Sequence, residues 1–391
     1  MFATTDLNRT QVFKAFLGNS ELSAPDIVKQ TNLSRPTVDT FLNELIKDGL
    51  LKKSGTGQST GGRKPGLFSF NGAGRFAIGV VVSIPGVTGV VVDLGGEIHA
   101  SKQVSIPIWS TGEYFIEKLA DLIGHLLGQV PDQSHFSGIG VAIPGLVDQE
   151  KGISVFFSRL SNFFNTPLRE ILEKKLKRPV TISRYLGSAA YSQIIPFRDT
   201  AAKPLVYVEL SEGIEMALFY QGMPYRGNIL NEGGLGHMVI EFNGRTCLCG
   251  AKGCLEAYAC NRVLIDEAKL NVRNGVPSAI PSDRNVSDDE FYQFVKKGDA
   301  LAVRVAEMGM EYLSLGIANV VNLLNPAKVI ISGAVASAGE AFLDKIRKRV
   351  LHYALNILGK DLEIEFVPFR PEAGAKGVGL LKLYRELNIL N

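Results

Sequence analysis

Apolar residues recur at helical spacing three times near the start of the chain. This pattern predicts helices over residues 7–18, 24–30 and 35–48. The third helix carries its apolar residues on one side, at Val38, Phe41, Leu42 and Leu45. Ser34 is a favourable N-cap for this helix, and Pro36 is tolerated in its first turn. The short turn before Ser34 is typical of a helix-turn-helix.

The residues that follow predict a β-hairpin. Residues 50–53 and 67–70 have the composition of strands, and a stretch rich in Gly, Ser and Thr separates them. Three helices and a hairpin within residues 1–70 indicate a winged helix-turn-helix, a module that places one helix in the major groove of DNA.

Beyond residue 76 the pattern becomes that of an α/β protein. The predicted strands lie at 77–82, 87–92, 139–143, 205–210 and 329–331. The predicted helices lie at 114–127, 167–176 and 301–321, and glycine-rich turns are expected at 144–145, 233–234, 332–334 and 373–375.

Composition places the chain among globular proteins of more than one domain. It has 391 residues, of which 46% are hydrophobic and 21% charged. The sequence has no apolar run of about eighteen residues, and no basic segment followed by an apolar one begins it. We therefore expect no membrane span and a cytoplasmic location.

The net charge of +3 comes from the N-terminal region. Residues 1–70 contain nine basic and six acidic side chains, so the rest of the chain is neutral overall. Such a local excess favours a polyanionic partner, although a solvated linker would give the same count.

Three of the four cysteines lie close together in the sequence. His237, Cys247, Cys249 and Cys254 follow the spacing His-x9-Cys-x-Cys-x4-Cys, among several glycines. One imidazole and three thiolates are the donors of a closed, structural zinc site, and clustered thiols in the cytoplasm indicate metal rather than disulfides. Buried free thiols are the alternative. Cys260 lies outside the spacing and is expected in the core.

The segments GHM at 236–238 and CLCGAKGCLE at 247–256 resemble the signature of the ROK family. This family contains bacterial sugar kinases and related sugar-responsive repressors. Residues 138–148 (GIGVAIPGLVD) extend the resemblance, and LSRPTV at 33–38 and GGRKP at 61–65 resemble its regulator branch.

The resemblance covers nearly the whole chain and implies the architecture. We expect an α/β protein in which a winged helix-turn-helix with its wing and linker (1–70) precedes a two-lobed, actin-like ATPase domain of RNase H-like topology (71–391). The family's sugar site lies in a cleft near the cysteine segment. The resemblance also implies a homodimer or a dimer of dimers, which would suit palindromic operator DNA.

The chain departs from the family's kinases at the residues that handle phosphate. Val81 stands at the Asp of their first phosphate turn, and Ser83, Ile84 and Pro85 replace its Gly-Gly-Thr. The second turn reads SEGIE at 211–215, the third reads SGA at 332–334, and the kinases' general base is replaced by Tyr185, a poor base at neutral pH. We therefore expect no kinase activity.

The implied ligand-binding residues are only partly those of the kinases. They are Arg184, Tyr185, His237 and Glu256, while Gly234 stands where the family has a Glu. The loss of acidic side chains weakens the case for a plain sugar. Arg184 would suit a sugar phosphate, or it could form a salt bridge within its own loop.

The third helix and the wing carry the candidate DNA contacts. They are Ser34, Arg35, Thr37, Thr40 and Asn43 on the helix, and Lys53, Arg63 and Lys64 on the wing. Asp39 on the same side is unexpected, because a carboxylate repels phosphates but can accept a hydrogen bond from cytosine.

These observations favour a transcription regulator, a repressor of carbohydrate-related genes, with a catalytically inactive effector domain. Two other functions stay open at this point. One is an active sugar kinase with an added DNA-binding domain, and the other is a regulator without a small-molecule effector.

Overall fold

The computed structural model describes residues 4–16, 21–57, 64–83, 86–107, 109–157, 160–194, 203–211, 213–220, 223–225, 227 and 234–387. The chain forms two compact units. Unit 1 comprises Met1–Asp199 and Pro371–Asn391, and unit 2 comprises Thr200–Arg370. Among the described residues, no helix combines the length and the apolarity needed to cross a membrane.

Unit 1 begins with three helices and a small antiparallel sheet, as the sequence predicts. The helices are α1 (Thr4–Lys14), α2 (Ala24–Thr31) and α3 (Arg35–Lys47), and the strands are β1 (Leu22–Ser23), β2 (Leu51–Thr56) and β3 (Gly66–Phe70). β3 lies between β1 and β2. β1 was not predicted, because a strand of two residues shows no alternation. Helix α1 ends at Lys14, earlier than predicted.

The core of this part is the apolar side predicted for α3. Val38 and Leu45 are fully buried, and the rings of Phe13 in α1 and Phe70 in β3 pack with their centroids 5.7 Å apart. The turn between α2 and α3 begins at Asn32, whose φ of 57° is the left-handed conformation that ends a helix. The packing of Phe13 against Phe70 attaches the hairpin to the helices.

The rest of unit 1 is a five-stranded sheet with helices and a small accessory sheet. The main sheet has the order β11-β7-β4-β5-β6, and β8, β9 and β10 form the accessory sheet. The bounds are β4 (Phe76–Ser83), β5 (Gly86–Asp93), β6 (Ile98–Ser105), α4 (Gly112–Leu127), β7 (Phe136–Ile143), β8 (Leu146–Asp148), β9 (Ile153–Phe156), β10 (Phe164–Thr166), α5 (Leu168–Leu176), β11 (Val180–Arg184), α6 (Tyr185–Ile194) and α13 (Pro371–Glu386).

Unit 2 contains a second five-stranded sheet, in the order β14-β13-β12-β15-β16. Its elements are β12 (Leu205–Leu210), β13 (Ile214–Tyr220), β14 (Met223–Pro224), α7 (Glu256–Ala259), α8 (Asn261–Arg273), α9 (Asp288–Lys296), α10 (Ala300–Leu324), β15 (Lys328–Gly333), α11 (Glu340–Tyr353), α12 (Asn356–Gly359) and β16 (Glu363–Val367).

The two sheets share one topology. In unit 1, β4 pairs antiparallel with β5 and parallel with β7, and β7 pairs parallel with β11. In unit 2, β12 pairs antiparallel with β13 and parallel with β15, and β15 pairs parallel with β16. Two copies of this mixed sheet are the two lobes that the family resemblance implies.

The C-terminal segment corrects one prediction. Residues 373–375 were expected to form a glycine-rich turn, but they lie inside helix α13. A Cβ added to Gly79 of β4 would lie 1.9 Å from the carbonyl oxygen of Ala375, and one added to Gly377 would lie 2.8 Å from that of Ala189 in α6. The small residues therefore serve close packing of α13 against β4 and α6.

This close approach predicts that a single methyl group on β4 destabilises unit 1. We expect Gly79→Ala to lower the free energy of unfolding by about 1–3 kcal/mol or more, because two backbones must separate. The matched control is Gly124→Ala in α4, where an added Cβ meets no atom within 4 Å. That change should stabilise the helix by roughly 0.5–1 kcal/mol. Thermal and urea unfolding would measure both, and equal stability of the two variants would contradict the packing argument.

Candidate functional site

Helix α3 exposes most of the polar side chains predicted for DNA contact. Ser34, Arg35, Thr40 and Asn43 are exposed, and Thr37 is half-buried. The opposite side of the helix is buried in the core of the N-terminal part. The helix therefore has one free polar side, as a helix that enters a groove requires.

Several hydroxyl groups on this side are already used within the helix. The Ser34 and Thr37 hydroxyls share a hydrogen bond of 2.7 Å, and Ser34 Oγ also accepts from the backbone N–H of Thr37. Thr40 donates its hydroxyl hydrogen to the carbonyl of Pro36 at 2.9 Å. Arg35, Asp39 and Asn43 carry larger polar groups and follow one another on this side at four-residue spacing.

Arg35 and Asp39 form an ion pair on the exposed side of α3. Arg35 Nε donates to both carboxylate oxygens of Asp39, at 3.0 and 2.9 Å. The side chains are 54% and 48% exposed, so the pair lies at the surface. This contact gives the unexpected carboxylate a partner within its own helix.

The hairpin presents basic side chains to solvent. Lys52 and Lys53 of β2 are exposed, and so is Lys64 shortly before β3. Arg63 lies outside the described residues. At the end of α3, Asp48 accepts from Arg9 of α1 at 2.6 Å, so this acidic group is paired.

In unit 2, the four predicted metal ligands lie together. One donor atom from each of His237, Cys247, Cys249 and Cys254 falls within 4.8 Å of the others. The distance from Cys247 Sγ to His237 Nδ1 is 3.8 Å, and that between the sulfurs of Cys249 and Cys254 is also 3.8 Å. All four cysteines are free thiols. The cluster could hold a metal ion.

A tight backbone hairpin brings these side chains together. Thr246 and Lys252 form an antiparallel bridge, and the N–H of Cys247 donates to the carbonyl of Ala251 at 2.8 Å. Gly253 has a φ of 80°, and a Cβ there would lie 1.8 Å from the carbonyl oxygen of Glu241. Only glycine fits this position.

The thiols differ in their proton affinity. A hydrogen bond from the backbone of Ala251 lowers the pKa of the exposed Cys249, whereas burial raises the pKa of Cys254 to about 12. Cys260 is fully buried in the large core of unit 2, as predicted. The exposed Cys249 therefore loses its proton more readily than Cys254.

The candidate ligand-binding residues of unit 2 include a carboxylate packed against backbone. Glu256 begins α7, and its Oε2 accepts from the N–H of Ile214 at 3.2 Å. A Cβ added to Gly213 or Gly236 would lie 2.8 or 3.1 Å from this oxygen. The second residue, His237, is exposed and belongs to the cysteine cluster.

The other two candidates lie in unit 1. Arg184 ends β11 and is half-buried, and Tyr185 begins α6 and is 9% exposed. Val81, at the position of the kinases' Asp, is fully buried, and its methyl groups would be 3.7 Å from a Cβ added to Gly374 of α13. Ile84, Pro85 and Glu212 lie outside the described residues.

Comparison with known protein families identifies the family of the region that follows the N-terminal helices and hairpin. The sequence model of the ROK family matches residues 78–384. The chain belongs to the ROK family. The match begins after the helices and hairpin of the N-terminal part, which lie outside it.

Individual ROK proteins resemble this chain over different extents. The xylose repressor of Bacillus spizizenii is 26% identical over 385 residues, which cover 98% of this chain and 97% of the repressor. The crystal structure of a ROK family transcriptional regulator, a homologue of the E. coli Mlc protein, superposes with a TM-score of 0.84 at 24% identity and covers 99% of this chain and 98% of its own. The ROK hexokinase of Thermus thermophilus has a TM-score of 0.65 at 23% identity and covers 80% of this chain and 99% of its own.

Sequence reasoning missed two contacts at these sites. The pairing of Asp39 with Arg35 could have been found from their four-residue spacing on a helix. The second contact, from the N–H of Arg245 to the hydroxyl of Tyr258 at 2.5 Å, supports the cysteine hairpin. A backbone donor leaves no mark in the sequence, so this contact had no signal.

Proposed function

We propose that this ROK protein is a DNA-binding transcription regulator, a repressor of carbohydrate-related genes that acts in the cytoplasm. Residues 1–70 would form the DNA-binding domain and residues 71–391 the effector domain. The observation that carries the proposal is the polar side of α3 beside a basic hairpin, in the part of the chain that precedes the family match. The similarity to a protein named xylose repressor includes this part.

In the proposed complex, α3 lies in the major groove of operator DNA. Ser34, Arg35, Thr37, Thr40 and Asn43 would face the base edges and flanking phosphates. Lys53, Lys64 and Arg63 would contact the backbone and the minor groove from the wing. Two such domains in a homodimer, or four in a dimer of dimers, would recognise a palindromic site.

This arrangement predicts that the wing supplies charge rather than sequence preference. We expect Lys53→Ala to weaken binding to operator and random duplexes by similar factors and to reduce the slope of log K against log[salt] by about 1. Lys297→Ala, which removes an exposed charge from unit 2, is the control and should change neither. Binding isotherms at several salt concentrations would measure this. A wild-type protein that shows no affinity for DNA would refute the proposed function.

We further propose that the cysteine cluster binds zinc. In a tetrahedral site with Zn–S bonds of about 2.3 Å, two sulfur ligands lie about 3.8 Å apart. The distance between the Cys249 and Cys254 sulfurs agrees with this value. A bound Zn²⁺ would stabilise the thiolates and join His237 to the cysteine hairpin. Such closed sites support local folding rather than catalysis.

The zinc proposal predicts one metal ion per chain and a difference between two cysteines. Cys249→Ser should reduce the zinc content and lower the melting temperature, because it removes a donor. Cys260→Ser is the matched control, since Cys260 belongs to the apolar core, and it should retain the metal. Elemental analysis of both variants would measure this, and wild-type protein purified without zinc would contradict the proposal.

The effector domain is proposed to bind a sugar or sugar phosphate without transferring phosphate. Arg184, Tyr185, His237 and Glu256 are the proposed ligand residues. Two features support the loss of catalysis: the apolar Val81 in the position of a metal-binding Asp, and Tyr185 in that of the general base. To restore the acid of the kinases, a carboxyl group would have to take the place of the Val81 side chain, which is fully buried among apolar groups.

We expect one sugar or sugar phosphate to raise the melting temperature while no ADP is released from MgATP. The panel is pentoses, hexoses and their phosphates. Glu256→Gln should abolish the shift, because it removes the carboxylate charge that would bind the ligand. The variant should still fold, because the amide oxygen keeps an acceptor for the N–H of Ile214. ADP release above background would favour a kinase with an added DNA-binding domain. Absence of any shift would favour a regulator without a small-molecule effector.

A further inference from the structure

We propose that Asp39 is a positioning residue that orients Arg35 to read a guanine in the operator. This inference rests on the proposed function of α3 in DNA binding. It assigns the specificity of one base pair to a pair of side chains, and it gives the carboxylate a role that does not require direct contact with DNA.

The location of the pair argues against a role in folding. Arg35 is the first residue of α3, where the positive end of the helix dipole disfavours a cation, and the first turn contains no acidic residue. The acid follows the base by four residues, which is the less favourable order for an ion pair on a helix. Pairs that are half exposed on both sides add little to stability.

The geometry of the contact leaves the reading edge of the guanidinium available. Asp39 engages only Nε, with both carboxylate oxygens. Within the described part of the chain, no group accepts from the terminal Nη1 and Nη2 of Arg35. Two parallel N–H donors on this edge match the O6 and N7 acceptors that guanine presents in the major groove.

The same contact argues against Asp39 as a direct reader of cytosine. Both of its oxygens already accept from Arg35, so a cytosine amino group would have to compete with a charged donor. The carboxylate also repels the phosphates of any duplex. Its expected effect is a lower affinity for all DNA in exchange for a fixed orientation of Arg35, which restricts the bases that Arg35 can contact.

Selection from a pool of randomised duplexes would test the proposal with the full-length protein. The variants are Arg35→Ala, Asp39→Ala, the double variant, and, as a control, Asp266→Ala, which removes the carboxylate of an exposed Arg–Asp pair at the same four-residue spacing in α8 of unit 2. We expect wild-type protein to select guanine at one position of each half-site, with a preference of at least about fivefold, as a bidentate contact provides. Arg35→Ala and Asp39→Ala should lose preference at this same position. Asp266→Ala should retain it.

Two further results distinguish a role of Asp39 in orienting Arg35 from an effect of its negative charge alone. Asp39→Ala should bind random DNA more tightly, because a repulsive charge is removed, while its preference for guanine falls. The double variant should lose no more preference than Arg35→Ala alone, since the two side chains act through one contact. Asp39→Asn, which retains one acceptor for Nε, should keep part of the preference. Thermal unfolding of each variant would verify that these exposed changes leave the domain folded.

Three outcomes would overturn the inference. Unchanged base preference in Asp39→Ala would show that the carboxylate acts only by repulsion. If Asp39→Ala loses a preference for cytosine at a position where Arg35→Ala keeps it, Asp39 contacts that cytosine directly. If the wild-type protein selects no sequence at all, the proposed function fails and the inference fails with it; in the first two outcomes the proposed function stands.

Discussion

The contact between strand β4 and helix α13 is the constraint on which unit 1 depends. The carbonyl oxygen of Ala375 lies where a side chain on Gly79 would be, so the two backbones touch. The helix follows unit 2 in the chain, and therefore the face of the central sheet that α13 covers is completed by residues beyond unit 2. Tyr384 of α13 also donates to the carbonyl of Leu94, in the turn after β5. A Cβ added to Gly95 in this turn would lie 3.0 Å from the Cα of Gly72, which follows the hairpin, so the N-terminal part packs closely against the turn.

The same packing bears on the proposed loss of catalysis. Val81 lies on β4 next to α13, fully buried. A carboxylate at this position would need a cation or hydrogen-bond donors to offset the cost of burial. Valine removes that requirement and adds apolar contact with the helix. In the proposed regulator, residues that no longer handle phosphate would thus be free to strengthen the packing of the lobe.

The cysteine hairpin shows the opposite situation, a segment with almost no apolar core of its own. Phe242 and Leu248 are 88% and 81% exposed, and the local cluster consists of two cysteines, Ala257 and Tyr258 with two partly buried neighbours. Backbone hydrogen bonds and the left-handed Gly253 define the turn, but they bury little surface. The proposed zinc ion would supply the cohesion that apolar side chains supply elsewhere.

The elements whose signals are local could be predicted from the sequence. The apolar side of α3, the N-cap at Ser34, the spacing of His237 and the three cysteines, and the alternation of strands and helices all follow from neighbouring residues. Features that depend on distant partners could not be predicted in this way. Residues 373–375 have the composition of a turn and form a helix, because their small side chains fit against β4 and α6. The two-residue β1 exists only because β3 pairs with it. The contact that supports the cysteine hairpin also depends on the fold, because the hydroxyl of Tyr258 accepts from the backbone N–H of Arg245 and a backbone donor leaves no signal in the sequence.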